Sequence, residues 1–238
     1  MRNAIVIGAS SGIGRALAKI LASNGFAVGL VARRTDLLFE LRHELPNPAF
    51  VKAIDVSDPV EAMPRLRELI AEMHDVELFV VSAGTGFINP DLAWEPERDT
   101  IAVNVVGFSA VANVAAEHLR ARGAGHIVAI SSLAALRGHG GAPAYNASKA
   151  FVSNYLEGLR HKFTQQHLPI IVTDVQAGFV QTAMAKGDGL FWVAAPEQAA
   201  RQIFDAIRKH KRRVYVTKRW RPIAWMLKAL PDRLYHRL

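Results

Sequence analysis

A tyrosine and a lysine four residues apart, Tyr145 and Lys149, are the pair in this sequence best suited to acid–base chemistry. On a helix, their side chains would lie one turn apart on the same face. A free phenol has a pKa of about 10, and a nearby ammonium lowers that pKa by favouring the phenolate. Ser132 is predicted to end a strand and could hold a carbonyl oxygen beside the phenol. The alternative is an aromatic residue packed at a helix start next to a solvated lysine.

A glycine-rich turn, Gly8-Ala9-Ser10-Ser11-Gly12-Ile13-Gly14, follows the first apolar run. The pattern is typical of a dinucleotide site: Gly8 permits a tight turn, Gly12 lets the backbone approach a pyrophosphate, and Gly14 lets a helix pack on the sheet. Backbone N–H groups and the positive end of the following helix would hold the phosphates. The alternative is a glycine-rich loop in which one of the two serines caps the helix.

An arginine pair, Arg33-Arg34, follows the second apolar run. The acidic residue that would hold the ribose hydroxyls of NAD is missing here, since Ala32 ends the run. The planar guanidinium of Arg33 suits a 2′-phosphate, so we expect NADP(H) to be preferred over NAD(H). The alternative is an exposed basic pair that opens the next helix.

Two further strand ends carry candidate cofactor contacts. Asp55-Val56 follow the third apolar run, and the Asp55 carboxylate could accept a hydrogen bond from an adenine amino group. Ala83-Gly84 follow the fourth and would present only backbone to a ribose. Both could equally be ordinary turns between a strand and a helix.

The elements that would position these residues alternate along the chain. Short apolar runs typical of buried strands are separated by longer stretches typical of helices. The predicted strands are Ala4–Ile7, Ala27–Ala32, Phe50–Ile54, Glu77–Val81, His126–Ser131, Ile170–Val175 and Val214–Val216. The predicted helices are Ile13–Asn24, Asp36–Leu45, Val60–Met73, Glu97–Arg122, Tyr145–Gln166 and Pro196–His210. This alternation predicts one doubly wound α/β domain, with ligands bound beyond the carboxyl ends of its strands.

The composition narrows the class of protein. The chain has 238 residues, and 50% of them are hydrophobic, which suits one domain with a sizeable core. Zero cysteine excludes disulfides, a thiolate nucleophile and zinc sites built on sulfur. None of the nine histidines forms a metal-binding pattern, so we expect no metal. With no signal-peptide core and no apolar run near the roughly 18 residues of a membrane span, we expect a soluble, cytoplasmic protein.

The net charge of +8 lies in the C-terminal part of the chain. Residues 206–238 contain eleven lysines and arginines and one acid, whereas residues 1–205 contain 18 basic and 20 acidic residues. Residues 218–238 are predicted to form a basic amphipathic tail and not an independent domain. This tail could lie on an anionic membrane, cover a partner subunit or fold against its own domain. Nucleic-acid binding is not expected, because the rest of the chain has no basic stripe.

Several motifs together resemble the short-chain dehydrogenase/reductase family. They have the order and spacing typical of that family and span about residues 3–216. They are Gly8-x-x-x-Gly12-x-Gly14, Ala83-Gly84, Asn104, Ser132, Tyr145-x-x-x-Lys149 and Gly178-x-x-x-Thr182. In three places the sequence departs from the family pattern: Ile7 replaces a threonine, Val81-Ser82 replaces an Asn-Asn pair, and Ala177 replaces a proline.

The resemblance implies a single Rossmann domain over residues 1–217, with a seven-stranded parallel sheet and helices on both faces. It also implies an NADP(H)-dependent oxidoreductase that interconverts an alcohol and a carbonyl by hydride transfer. Tyr145 would be the general acid, and Lys149 would lower its pKa and bind the nicotinamide ribose. Ser132 would position the carbonyl, and Asn104 would hold a water of the proton relay.

The resemblance also implies a set of cofactor contacts and a substrate side. The implied cofactor contacts are Gly8, Ser10, Ser11, Gly12, Ile13, Gly14, Arg33, Arg34, Asp55, Val56, Ala83, Gly84, Tyr145, Lys149, Gly178, Val180 and Thr182. Substrate contacts would come from Thr85–Ile88, Leu133–Gly141 and Met184–Ala195. In the last segment, Leu190-Phe191-Trp192-Val193 could form an apolar wall that suits an apolar alcohol or carbonyl compound, or could equally pack on the domain's own helices. The substrate itself is not readable, and a homo-dimer or homo-tetramer is expected.

The alternative function is a non-catalytic NADP(H)-binding module, such as a membrane-associated or regulatory subunit. A pure binder would need neither Ser132 nor Tyr145, so their presence favours the enzyme.

Overall fold

Seven short apolar runs form one parallel sheet in the computed structural model, which describes residues 1–182 and 191–235. The strands are β1 (Arg2–Ile7), β2 (Phe26–Ala32), β3 (Ala49–Ala53), β4 (Val76–Val81), β5 (Gly125–Ser132), β6 (Ile170–Ala177) and β7 (Arg213–Val216). Their order in the sheet is β3-β2-β1-β4-β5-β6-β7. The predicted doubly wound seven-stranded parallel sheet is confirmed, and the observed strand ends differ from the predicted ones by no more than two residues.

Helices cover both faces of this sheet. They are α1 (Gly12–Ser23), α2 (Thr35–Glu44), α3 (Pro59–Met73), α4 (Trp94–Ile101), α5 (Phe108–Arg122), α6 (Pro143–Gln165), α7 (Pro196–Arg208), α8 (Arg221–Ala229) and α9 (Asp232–Tyr235). Successive strand residues point to opposite faces, so Ile5 joins the core under α3, α5 and α6, and Val6 joins the core under α1 and α7. The two cores fix the strand ends at which the site lies.

The predicted helix Glu97–Arg122 differs in detail from the observed one. The observed helical stretch begins at Trp94, three residues before the predicted start. A π-helical turn over Ala102–Gly107 separates α4 from α5. Such turns often occur at functional sites, and this one carries Asn104. The expectation that no apolar run comes near the length of a membrane span is wrong for Trp94–Arg122, which is long and apolar enough to cross one. However, 56% of its most apolar window is buried inside the fold, as in a core helix.

The crevice expected of a doubly wound sheet opens where β1 lies between β2 and β4. The backbone N–H groups of Ser82 and Ala83 both donate to the Ile7 carbonyl at 2.8 Å, which holds the ends of β1 and β4 side by side. The glycine-rich turn and the Ala83-Gly84 segment therefore leave the sheet next to each other.

A buried histidine on β5 should make the fold sensitive to acid. Nε2 of His126 lies 2.8 Å from the Thr173 hydroxyl, and burial, together with the neighbouring His210, lowers the pKa of His126 to about 3. The unfolded chain has an ordinary histidine pKa of about 6.5, so it takes up one proton more than the folded chain as the pH falls from that value. We expect His126 to cost about 2 kcal/mol of stability between pH 7 and pH 5.

Urea unfolding of the wild type and of His126→Gln at these two pH values measures this loss. The substitution should remove most of the difference, whereas His161→Gln, at an exposed position of α6, should leave it unchanged. Equal pH dependence in the wild type and His126→Gln would contradict the assignment.

Candidate active site

The glycine-rich turn is closed by contacts that no other residue type would allow. Gly8 has a φ of 93°, and a Cβ there would lie 2.5 Å from the Ala83 nitrogen. A Cβ on Gly14 would lie 2.1 Å from the Gly8 carbonyl oxygen. The turn thus leaves its backbone open to a ligand and holds the start of α1 directly against the sheet, which fits a dinucleotide phosphate.

The two serines of the turn do not cap α1 within the part of the chain that the structure describes. Ser11 occupies the cap position without a side-chain cap hydrogen bond, and Ser10 and Ser11 both accept a hydrogen bond from Arg34 at 3.0 Å. The N–H groups of the first helical turn therefore have no side-chain cap. This favours the phosphate interpretation over the capping alternative, and it places Arg34 at the turn.

Arg33 and Asp55 lie together at the ends of β2 and β3. A guanidinium nitrogen of Arg33 is 3.6 Å from a carboxylate oxygen of Asp55, and both side chains are exposed. Burial would raise the pKa of Asp55, but hydrogen bonds from Ser57 and the charge of Arg33 hold that pKa below its ordinary value. The neighbouring Val56 is buried, and its carbonyl packs against Gly107 of the π-helical turn.

Asn104 and Lys149 meet at Gly84. The amide of Asn104 accepts from the Thr85 nitrogen at 2.9 Å and donates to the Thr85 carbonyl at 2.7 Å and to Ser148 Oγ at 3.0 Å. Lys149 Nζ donates to the Ile130 carbonyl at 3.1 Å. A Cβ on Gly84 would lie 3.1 Å from Lys149 Nζ and 3.3 Å from Asn104 Oδ1, so glycine is the residue that fits here.

Tyr145 lies near both the lysine and the serine. Lys149 Nζ is 5.8 Å from the centre of the phenol ring, and Ser132 is close enough to the phenol to lower its pKa. The Ser132 hydroxyl itself donates to the Ala177 carbonyl at 3.3 Å and accepts from the Ala134 nitrogen at 3.1 Å. Gly86 lies flat against the ring, since a Cβ there would be 2.4 Å from Tyr145 Cδ2. The helical spacing therefore brings Tyr145 and Lys149 to the strand end at Ser132, but the pKa of Tyr145 is raised by burial and not lowered by Lys149 as expected.

Burial sets the protonation states of this pair. It raises the pKa of Tyr145, opposed by the nearby Ser132, so the phenol is protonated at neutral pH. It lowers the pKa of Lys149 to about 8, and the charge of Asp174 acts in the other direction. A protonated phenol beside an ammonium that titrates near neutral pH is an arrangement able to donate a proton and to stabilise the anion that remains.

Sequence reasoning missed Asp174. Its carboxylate is fully buried on β6 and is bonded to the Ser131 hydroxyl, to Gln176 Nε2 at 3.1 Å and to Arg213 Nε at 3.3 Å. A single acid inside the apolar run Ile170–Ala177 was the available signal. Its negative charge supports the buried ammonium of Lys149.

The turn after β6 lies between the glycine-rich turn and the C-terminal tail. The Gly178 nitrogen donates to the Val216 carbonyl at 2.6 Å, Val180 is buried and bridges to Ala194, and Thr182 touches the turn at Gly12. Residues 184–190 of the predicted substrate segment Met184–Ala195 lie outside the described residues. Ile13 is partly buried against the core beneath α1.

The tail folds against its own domain. Trp220 is 4% exposed and packs with Leu133 and Ala224. Leu133 directly follows Ser132 at the end of β5. Arg137 donates to the Leu227 carbonyl at 3.1 Å and pairs with Asp232 at 2.8 Å. The inner side of the tail therefore packs on its own domain, which is one of the three alternatives given above for the tail.

The strand order and the glycine-rich turn define a Rossmann-type fold. Comparison with known proteins gives the class of protein: a family model described as short chain dehydrogenase matches residues 2–189. The chain therefore belongs to the short-chain dehydrogenase family, whose members act on CH–OH and C=O groups with NAD(P)H.

Individual relatives support this assignment along most of the chain. An uncharacterized oxidoreductase from Myxococcus xanthus is 37% identical over 188 residues, which cover 77% of this chain and 74% of the relative. Another uncharacterized oxidoreductase, from Mycobacterium tuberculosis, is 32% identical over 244 residues, which cover 98% of this chain and 95% of the relative. A short chain dehydrogenase/reductase from Burkholderia phymatum, solved in complex with NAD, has a TM-score of 0.85 at 20% identity, covering 94% of this chain and 92% of that chain.

Proposed function

We propose that this oxidoreductase interconverts an apolar alcohol and its carbonyl compound with NADP(H), with Tyr145 as the proton donor and acceptor. The observation that carries the proposal is the closeness of the Tyr145 phenol to both Ser132 and the buried Lys149 ammonium. The bound nicotinamide supplies a hydride to the carbonyl carbon in reduction and takes it back in oxidation.

The protein's own residues hold the carbonyl and move the proton. The Ser132 hydroxyl donates a hydrogen bond to the carbonyl oxygen, and Tyr145 gives that same oxygen its phenolic proton as the carbon is reduced. The positive charge of Lys149 stabilises the phenolate that remains. Asn104 fixes the Thr85 backbone through two hydrogen bonds, which positions Gly86 against the phenol ring.

Exposed apolar side chains on two of the predicted substrate segments support an apolar substrate. Phe87 and Ile88 follow Gly86 directly and are exposed, and Phe191 and Trp192 are exposed after the turn that follows β6. Steady-state oxidation of NADPH with apolar ketones, aldehydes, quinones and acyl thioesters tests the proposal. Turnover supports the enzyme, and NADPH binding without turnover of any of these classes would favour the non-catalytic binding module.

We infer the preference for NADP(H) from the two arginines at the end of β2. Arg34 donates hydrogen bonds to Ser10 and Ser11 of the glycine-rich turn. Arg33, the preceding residue, has an exposed guanidinium. A 2′-phosphate would receive charge-assisted hydrogen bonds that a ribose hydroxyl of NAD cannot match.

Replacing Arg33 with alanine should therefore weaken NADPH binding at least about tenfold, the value of one hydrogen bond to a charged group, and leave NADH binding nearly unchanged. Fluorescence titration of both cofactors measures the two dissociation constants. Arg67→Ala is a matched control, because Arg67 is also exposed and paired with a carboxylate, Glu117. A wild type that binds NADH more tightly than NADPH would overturn the inference.

The cytoplasmic location and the homo-dimer or homo-tetramer stay predictions.

A further inference from the structure

The inner side of the C-terminal tail is already occupied by the protein's own substrate-side segments. Trp220 packs against Gly178, where a Cβ would lie 2.3 Å from the indole nitrogen. Leu133 also packs against Trp220. Arg137 holds the far end of α8 through the Leu227 carbonyl and through Asp232. These contacts fix which side of α8 faces away from the protein.

The opposite side of α8 exposes apolar residues at helical spacing. Pro222, Trp225, Met226 and Ala229 are all exposed and share one face, which we call the outer tail face. Trp225 is 56% exposed and Met226 is 52% exposed. The guanidinium of Arg221 lies 4.7 Å above the Trp225 ring, so a cation stands at the edge of this apolar surface.

The charge of the tail is almost all of one sign. Its basic residues along residues 218–235, all of them exposed, are Lys218, Arg219, Arg221, Lys228 and Arg233. The single acid of this segment, Asp232, is neutralised by Arg137. Arg219 also donates to the Trp192 carbonyl at 3.0 Å, and Trp192 is itself exposed, so the basic surface continues to the substrate side of the protein.

We propose that the outer tail face docks the protein on an anionic lipid bilayer. A tryptophan-bearing apolar stripe enters the headgroup region, while the surrounding cations bind anionic lipids. The positive charge of the tail selects this occupant, because a second copy of the chain docked on the same face would bring two sets of tail cations together. The docking itself does not depend on catalysis.

Vesicle co-sedimentation tests the proposal with the full-length protein. We expect binding to vesicles of phosphatidylcholine and phosphatidylglycerol, weaker binding to phosphatidylcholine alone, and loss of binding as salt rises. The double variant Trp225→Ser/Met226→Ser should bind at least about tenfold less, because two exposed apolar side chains leave the interface. Arg221→Gln/Lys228→Gln should bind about thirtyfold less, since each cation near an anionic surface contributes about a fivefold factor.

Matched controls separate docking from general stickiness. Phe39→Ser/Val60→Ser removes two exposed apolar side chains from α2 and α3, and Arg67→Gln/Lys162→Gln removes two charges from α3 and α6. Both should bind like the wild type. Because every substituted side chain is exposed or lies at the surface, unchanged circular dichroism and melting temperature are expected and are measured on the same samples.

Three outcomes would overturn the proposal. The wild type could fail to bind anionic vesicles, or the control variants could lose as much binding as the tail variants. The tail variants could also change the oligomeric state in size-exclusion chromatography without changing vesicle binding, which would show that a second copy covers this face.

Discussion

Replacing Tyr145 with phenylalanine should lower the rate of carbonyl reduction at least about a hundredfold, within the range that a positioned proton donor contributes. The ring would keep its place against Gly86 and below Lys149, because these contacts involve only the ring. The variant loses the hydroxyl that meets Ser132 and that supplies the proton. Its NADPH dissociation constant should therefore stay close to the wild-type value.

Tyr155→Phe is the matched control for this substitution. Tyr155 lies on the same helix, α6, and packs against the rings of Phe108 and Phe151. Removing its hydroxyl should leave the rate within about twofold, since it lies outside the proposed proton path. A Tyr145→Phe enzyme that reduces its substrate at the wild-type rate would contradict the role assigned to this phenol.

The second large effect concerns the charge of Lys149. Burial lowers the pKa of Lys149 to about 8, so its ammonium loses the proton at a lower pH than an ordinary lysine. Lysine is charged below its pKa, and the charge stabilises the phenolate formed when Tyr145 gives up its proton. We expect kcat/KM for reduction to be level below this pH and to decline as the pH rises through it.

Lys149→Met should remove both the charge and the alkaline decline. We expect a loss of about a hundredfold or more at neutral pH and a flat profile above it. Lys162→Met, an exposed position further along α6, should keep the wild-type rate and profile. A Lys149→Met variant that keeps the decline near pH 8 would show that another group titrates there.

The fold and the centre of the site were readable because they depend on local patterns. Apolar runs of strand length predicted the strands and their order along the chain. Tyr145 and Lys149 lie four residues apart, so a predicted helix was enough to place them on one face. The glycine-rich turn was readable from the spacing of its glycines. Gly8 and Gly14 must be glycine, because each meets backbone atoms that any Cβ would displace.

The remaining features depend on contacts between distant parts of the chain. Arg34 meets Ser10 and Ser11 only because β1 and β2 are neighbours, so the sequence could suggest Arg33 and Arg34 but not their separate contacts. Asp174 reaches the buried network of β5 and β7 across the sheet. The side of the tail that faces solvent was equally unreadable, since Arg137, ninety residues earlier, sets it.

Transfer of deuterium from NADPH to product tests the central proposal most directly. NADPH that carries deuterium at both C4 positions of its nicotinamide ring is incubated with the wild type and the apolar carbonyl panel, and the alcohols are examined by mass spectrometry. We expect deuterium on the carbinol carbon with the wild type and a signal at least about a hundredfold weaker with Tyr145→Phe at equal NADPH occupancy. Saturating NADPH binding with no deuterium in any product would contradict it and would leave a protein that binds the cofactor without turning it over.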